Sequence, residues 1–247
     1  SNASYFTNLY SPSDIFTYGI KHGKFQATNI KLLTSGVEYS CGDIKIKTQI
    51  PGQFNVYNSL AALAVGKKIG LTNQAISDGI AALTSVEGRM NRLDLGQNFD
   101  VIVDYAHTPD ALEKVFTSVK DHPGKIISVH GGAGRRDEST RALRGEILGK
   151  YSDTVIITED DSRDEDPATI AAQFVEGVKK TNKTMDKDLF VELDRRTAID
   201  KALRLAKKGD LVLVLGKGHE KTILRADGPH DFEDLKVTTE LLKALQK

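Results

Sequence analysis

The chain has 247 residues, enough for one large domain or two modest ones, and its 34 Lys plus Arg balance its 34 Asp plus Glu for a formal net charge of zero. That balance excludes a general nucleic-acid binder, which needs a basic surface to release counterions from phosphates. One cysteine, Cys41, excludes an internal disulfide or a cysteine-rich zinc site; no apolar run reaches membrane-span length or reads as a signal peptide, so the expectation is a cytoplasmic protein.

Ser1-Asn2-Ala3 reads as the remnant of an expression tag. Between residues 25 and 50, "FQATNIKLL", "GVEYSCG" and "DIKIKTQI" alternate apolar and polar residues across short breaks and predict a small antiparallel meander. "PGQFNVYN" leads into an apolar helix, "SLAALAVGKKIGL", and Thr72 is placed to cap a second helix in "TNQAISDGIAAL". After Gly88 the rhythm changes. "DVIVDYA", "KIISVHG", "DTVIITE" and "DLVLVLG" are short β-branched runs of the kind buried on both faces. Helical patterns separate them: "PDALEKVFTSVKD", "STRALRGEILGKY", "DPATIAAQFVEGVKK" and "RRTAIDKALRLAKK". This alternation predicts an α/β fold with a mostly parallel sheet and helices on both faces. "DLFVEL" is a further strand candidate, "TILRADG" an edge strand, and residues 233–246 a final helix. The boundary is expected near residues 84–90, dividing the chain into 4–85 and 86–247. The first part has little to pack on and reads as the tail of a larger domain.

Ligands of open parallel sheets bind at the carboxyl ends of the strands. Four strand ends carry unusual polar residues here: Asp104, Tyr105, His107 and Thr108; a glycine-rich turn with Arg135, Arg136 and Asp137; the acidic loop "TEDDSRDEDP"; and "GKGHE", residues Gly216 to Glu220. Each has a plain structural reading. Asp104 and His107 suit helix capping as well as catalysis, since Thr108-Pro109 is a good cap pair. "HGGAGRR" lacks the Lys-Ser/Thr ending of a phosphate loop. "GKGHE" suits a tight turn with a solvated lysine. The acidic run suits a solvated face, with Asp164, Glu165 and Asp166 favoured at a helix N-terminus. Against this stands the mixture of signs. Arg136 and Arg163 are candidates for bidentate pairing with carboxylates, and Asp160, Asp161 and Glu220 for holding an ammonium. Together they suggest a pocket for an amino acid, one with a second amine included.

"PGQFNVYNSLAA", "EGRMNRLD", "VDYAHTPDAL", "GGAGRRDESTR", "TEDDSRDEDP" and "GKGHE", in this order, resemble the Mur ligases, and most of all the branch that adds the third residue of the peptidoglycan stem peptide. The resemblance runs from about residue 18 to the end. It implies the C-terminal part of a central ATP-binding domain over 4–85 and a Rossmann-like C-terminal domain over 86–247. It implies ATP-dependent amide formation with Mg2+, joining a diamino acid, meso-diaminopimelate or L-lysine, to a UDP-N-acetylmuramoyl dipeptide. A "GTxGKT" phosphate loop is absent from the sequence, so this chain alone is expected to be inactive, and a monomer. By the same resemblance Asn55 and Asn58 lie near the adenine and ribose of ATP, Arg89 and Asp104 complete the nucleotide site, and His107 sits near the reacting centre. Arg136, Asp160, Asp161, Arg163, Gly216 and Glu220 match positions that grip the diamino acid. Branch members using meso-diaminopimelate typically read Asp-Asn-Pro-Arg where this chain reads Asp160-Asp161-Ser162-Arg163. The retained arginine suits a distal carboxylate; the added carboxylate suits the bare ammonium of lysine. Two alternatives remain: a folylpolyglutamate- or cyanophycin-type ligase, against which "DDSR" with "GKGHE" argues, and a non-catalytic amino-acid-binding module.

Overall fold

The computed structural model describes residues 9–11, 15–33 and 35–245; Ser1-Asn2-Ala3, read above as a tag remnant, lie outside the described residues. The chain divides into two compact units between Ser85 and Val86.

The first unit holds a three-stranded antiparallel sheet, β3 (Thr28–Leu33), β4 (Gly36–Cys41) and β5 (Ile44–Thr48). Ile44, Ile46 and Thr48 are buried while Lys45 and Lys47 are exposed, as a strand with one covered face requires. Two helices, α1 (Phe54–Lys68) and α2 (Asn73–Ala82), complete the unit. Val37, Tyr39 and Ile46 share a core with Val56, Leu60, Leu63 and Ile76 from these helices. Thr72 caps α2, accepting from the Ala75 amide at 3.2 Å. Helix α1 begins at Phe54, inside the segment read as a connection. The Ser59 hydroxyl, buried and bonded to the Tyr39 hydroxyl at 2.9 Å, ties that early turn to the sheet. A parallel pair of two-residue strands, β1 (Tyr18–Gly19) and β2 (Phe25–Gln26), is too short to show a sequence period.

The second unit is built on a six-stranded sheet. Its strands are β6 (Asn91–Leu93), β7 (Asp100–Asp104), β8 (Ile126–Gly132), β9 (Thr154–Glu159), β10 (Leu189–Val191) and β11 (Leu211–Leu215), in the order β10-β9-β8-β11-β7-β6. All pairs are parallel except β6 with β7. Helices α3 (Pro109–Ser118), α4 (Arg141–Tyr151) and α5 (Pro167–Lys179) follow β7, β8 and β9. Phe116 of α3 stacks on Tyr151 of α4, and Phe174 of α5 meets the ring of His130 on β8. The opposite face packs Val101, Val103, Ile127, Val129, Val212 and Val214 against α6 (Arg195–Leu205) and α7 (Asp234–Leu245). Strand β11, central and buried over its whole length, is uniformly apolar for that reason. "TILRADG" is not an edge strand of this sheet: β12 (Thr222–Arg225) pairs with β13 (Gly228–Asp231) as a separate antiparallel hairpin. Among the described residues no helix is long and apolar enough to cross a membrane.

The topology makes a crevice. The chain leaves β8 toward α4 on one face of the sheet and leaves adjacent β11, through the hairpin, toward α7 on the other. Diverging connections at neighbouring carboxyl ends open the sheet where ligands bind in this class of fold.

Candidate functional site

The acidic loop is not a solvated charge run. Glu159, buried, accepts three hydrogen bonds from Arg225 and one from the Ser162 hydroxyl. Asp164 forms a bidentate pair with Arg135. Glu165 accepts from Arg141 at 2.9 Å and from the Arg135 amide. Asp166 caps α5, accepting from the amides of Ala168 and Thr169.

The two remaining acids meet Lys217. Its ammonium donates to Asp160 at 3.1 Å, Asp161 at 2.8 Å and Glu220 at 2.9 Å, and the residue is fully buried. Read from sequence as a solvated turn lysine, Lys217 is instead the cation around which three carboxylates are arranged. Burial alone would pull the ammonium toward losing its proton; Asp160, Asp161 and Glu220 outweigh that and hold its pKa above the usual lysine range. Burial likewise opposes ionised Asp160, and Lys217 with Arg195 overcomes it. Among the described residues this is the one acidic group compact enough to ligate a metal, its ligand atoms lying within 4.8 Å of one another, and it surrounds a lysine.

The expected ammonium pocket is therefore altered. Asp160 and Asp161 face inward, Asp160 also receiving the Asp161 amide and Asp161 the Leu224 amide. Glu220 alone of the three keeps substantial access, its side chain 33 % exposed. Gly216 is at φ +115, where only glycine is at ease, and a Cβ there would meet Asp160 Oδ2 at 3.2 Å.

Arg136 and Arg163, the candidates for bidentate pairing with carboxylates, make no such pair among the described residues. The bidentate arginines are Arg135, Arg195 and Arg225, not Arg136 or Arg163. Arg136 is exposed and carries no ion pair among the described residues, and Arg163, half-buried, donates only to the Gly134 carbonyl. The hairpin fixes Arg163: its amide donates to Leu224 at 2.8 Å, and its φ is +54.

At the end of β7, Asp104 is 4 % exposed and accepts the Met90 and Ala106 amides, each at 2.8 Å. Burial, only partly offset by these bonds, raises its pKa above the usual carboxylate value. Asp104 thus clamps the Arg89–Met90 segment to the strand end. Neither it nor His107 caps α3; Thr108 does. His107 is exposed, with Nδ1 2.9 Å from the Tyr105 carbonyl. A carbonyl only accepts, so Nδ1 carries the hydrogen and Nε2 is left without a partner. Tyr105 lies between His107 and His219, under Arg89, and its hydroxyl donates to Glu220 at 3.2 Å. This ring joins the loops after β7 and β11. Asn55 and Asn58 belong to the first unit. Asn55 donates to the Pro51 carbonyl and accepts from Asn58, which is exposed.

Sequence reasoning missed three buried polar residues behind the rim: His130, Arg144 and Arg195. His130 is wholly buried, and neither ring nitrogen has a partner of hydrogen-bonding geometry; the Leu215 carbonyl is a marginal neighbour. Burial, with the Arg144 charge adding to it, pushes the imidazole down to about 3 from its ordinary 6.5. A depressed value means that the neutral ring contributes stability present above pH 6.5 and lost as pH falls toward about 3. His130→Phe is expected to abolish one proton's worth of this loss, about 1.4 kcal/mol per pH unit. Denaturant midpoints followed by circular dichroism from pH 6.5 to 4.5 provide the check. Parallel curves for variant and wild type would show that His130 protonates inside the fold.

A family model for the Mur ligase glutamate ligase domain matches residues 88–218, and one for the Mur ligase middle domain matches residues 3–66. The chain is 40 % identical over 237 residues to the UDP-N-acetylmuramoyl-L-alanyl-D-glutamate--2,6-diaminopimelate ligase of Syntrophomonas wolfei, an alignment covering 94 % of this chain and 48 % of that protein. The chain spans about half the length of the curated relatives it matches. A solved UDP-N-acetylmuramoyl-L-alanyl-D-glutamate--2,6-diaminopimelate ligase superposes with a TM-score of 0.62 at 28 % identity, covering 100 % of this chain and 52 % of that one. MurF ligase from Thermotoga maritima, solved in complex with ADP, superposes at 0.63 with 21 % identity, covering 93 % of this chain and 48 % of that one, and supports the fold alone.

Proposed function

The chain belongs to the Mur ligase family, and from that premise we propose that it is part of an ATP-dependent ligase joining meso-diaminopimelate to UDP-N-acetylmuramoyl-L-alanyl-D-glutamate. The observation that carries the choice of diamino acid is an imbalance at the rim. Every carboxylate of the acidic loop has an internal donor, whereas Arg136 and Arg163 form no ion pair among the described residues. A ligand entering here must bring anionic groups. Diaminopimelate brings two carboxylates and lysine one. The residues that departed from the diaminopimelate pattern do not favour lysine: Asp161 is engaged by Lys217 and Leu224, and Ser162 by Glu159.

In this reading Arg163 and Arg136 take the ligand's carboxylates, and Glu220, backed by Asp160 through Lys217, takes an ammonium. Gly216 allows close approach. ATP supplies the phosphoryl group that activates the acceptor carboxylate; the free amine then displaces phosphate at the acyl carbon and loses a proton. The unpartnered Nε2 of His107 is set to accept that proton. Arg89, on the segment clamped by Asp104, neutralises nucleotide charge. No magnesium ligand is assigned to this chain, because its one compact acidic group encloses Lys217.

Arg163→Ala in the whole ligase tests the reading. Removing the partner of a desolvated carboxylate is expected to cost about 2–5 kcal/mol in kcat/KM for diaminopimelate. The kcat/KM for lysine, which has no distal carboxylate, is expected to change little. An unchanged ratio of the two constants would remove Arg163 from specificity.

A further inference from the structure

Arg144, on the first turn of α4, is 6 % exposed and forms no ion pair among the described residues; Asp160 and Asp137 act on it only at longer range. One terminal nitrogen, Nη1, donates to the His107 carbonyl at 3.0 Å. Its Nε is buried without a partner, and Nη2 makes no hydrogen bond. The guanidinium lies over the Phe174 ring, 4.8 Å from its centroid. The same ring meets His130, whose Nδ1 lies at the foot of the Gly216 turn: a Cβ on Gly216 would be 3.4 Å from it. Arg144 and His130 thus line the α4 side of the crevice between β8 and β11, behind His107.

A buried guanidinium is costly unless its donors are met. The neighbouring Arg141 differs in its terminal nitrogens: it is fully buried, its Nε is unpartnered like that of Arg144, but its terminal nitrogens bond Glu165, Gln173 and the Ala133 carbonyl, and Glu165 supplies an anion. Arg144, one turn along, has a single carbonyl. Burial, and then the like charge of Arg141, lower its pKa to about 10; the more distant Asp160 and Asp137 offset this only in part.

We propose that Arg144 is the floor of an oxyanion subsite in this crevice, completed by a carboxylate or phosphoryl oxygen of a bound molecule. The subsite is distinct from Arg136 and Arg163, which lie on the loops above, and it stands whether or not the whole protein uses diaminopimelate. Its place behind the His107 carbonyl lets a bound anion and His107 be held by one side chain. His130 supplies a second polar contact without adding charge.

The 247-residue chain itself serves for the test, with two probes: inorganic phosphate and meso-diaminopimelate. The resolved Nε–H resonance of Arg144 in nitrogen-15 spectra is the direct readout. Saturable movement of that signal with either probe is expected, and whichever probe moves it identifies the source of the oxyanion. Isothermal titration calorimetry with the probe that moves the signal is expected to show binding weakened tenfold or more in Arg144→Gln, while Arg136→Gln leaves any phosphate-induced movement of the Arg144 signal intact. No movement with either probe, or affinities within twofold of wild type in Arg144→Gln, would overturn the subsite. If Arg144→Gln does not fold, the wild-type Nε–H titration decides alone.

Discussion

Lys217→Met is expected to destabilise the Val86–Lys247 unit by about 3–5 kcal/mol at neutral pH, the range for removing one member of a buried ion pair. The lysine is fully buried, and its removal leaves Asp160, Asp161 and Glu220 with mutual repulsion and no ammonium between them, only the more distant charge of Arg195 acting on Asp160. A surface lysine in a glycine turn would cost no more than about 0.5 kcal/mol. The effect must also depend on pH. In the wild type, Lys217 and Arg195 overcome burial and hold Asp160 below its ordinary 3.8, so its contribution is present above that value and lost only as pH falls through the folded value. Without the ammonium, burial dominates and the carboxylates rise instead. The variant then loses stability as pH rises, and its deficit is larger at pH 8 than at pH 5. Denaturant titrations by circular dichroism at these two values suffice, the chain having no tryptophan. A deficit below about 1 kcal/mol, equal at both, would return Lys217 to the solvated class.

The contrast explains what was legible in the sequence. The strands of the sheet announced themselves because a strand buried on both faces has to be apolar throughout, as Leu211–Leu215 is. Their carboxyl ends carried the polar loops, so the rim could be located without knowing any contact. The partners within the rim could not. Lys217 meets Asp160 across 57 positions, and a local pattern contains nothing of that distance. Charge balance had the same blind spot: six acids in ten residues look solvated until Arg135, Arg141, Lys217 and Arg225 are brought to them. Asp104, too, read as a ligand or helix cap, turned out to bind the Met90 and Ala106 amides from its own buried position. One available signal went unused. Arg141 and Arg144 fall in phase with buried Leu148 at helical spacing, and Arg195 with Ala198, Ile199 and Ala202, so all three belong to buried stripes. A charged residue in phase with an apolar stripe marks an internal clamp or a site.

Arg195 is the clamp. Its guanidinium, fully buried, donates to both oxygens of Asp234 at 2.7 Å, to the Leu215 carbonyl at 3.0 Å and to the Glu159 carbonyl at 3.3 Å. One side chain at the start of α6 thereby joins α7 to the last residues of β9 and β11, immediately before Asp160 and Gly216. Arg195→Met leaves Asp234, itself fully buried, with no counterion, and is expected to cost about 3–5 kcal/mol. The cost comes from the stranded carboxylate more than from a net value of the pair, since a buried ion pair replaced by apolar residues of similar volume is often neutral or stabilising. Asp234→Leu alone is expected to be damaging for the mirror reason. The double variant Arg195→Met/Asp234→Leu is then expected to recover stability relative to either single change, with a coupling of about 2 kcal/mol or more. Yet it still lacks the donors that held the Leu215 and Glu159 carbonyls. The strand ends, and with them Asp160 and Lys217, should therefore loosen even where global stability returns. Amide hydrogen exchange in residues 159–163 and 215–220 separates the two contributions. Restored stability with faster exchange there assigns Arg195 to the geometry of the rim, whereas additive single effects would show that the two side chains do not act as a pair.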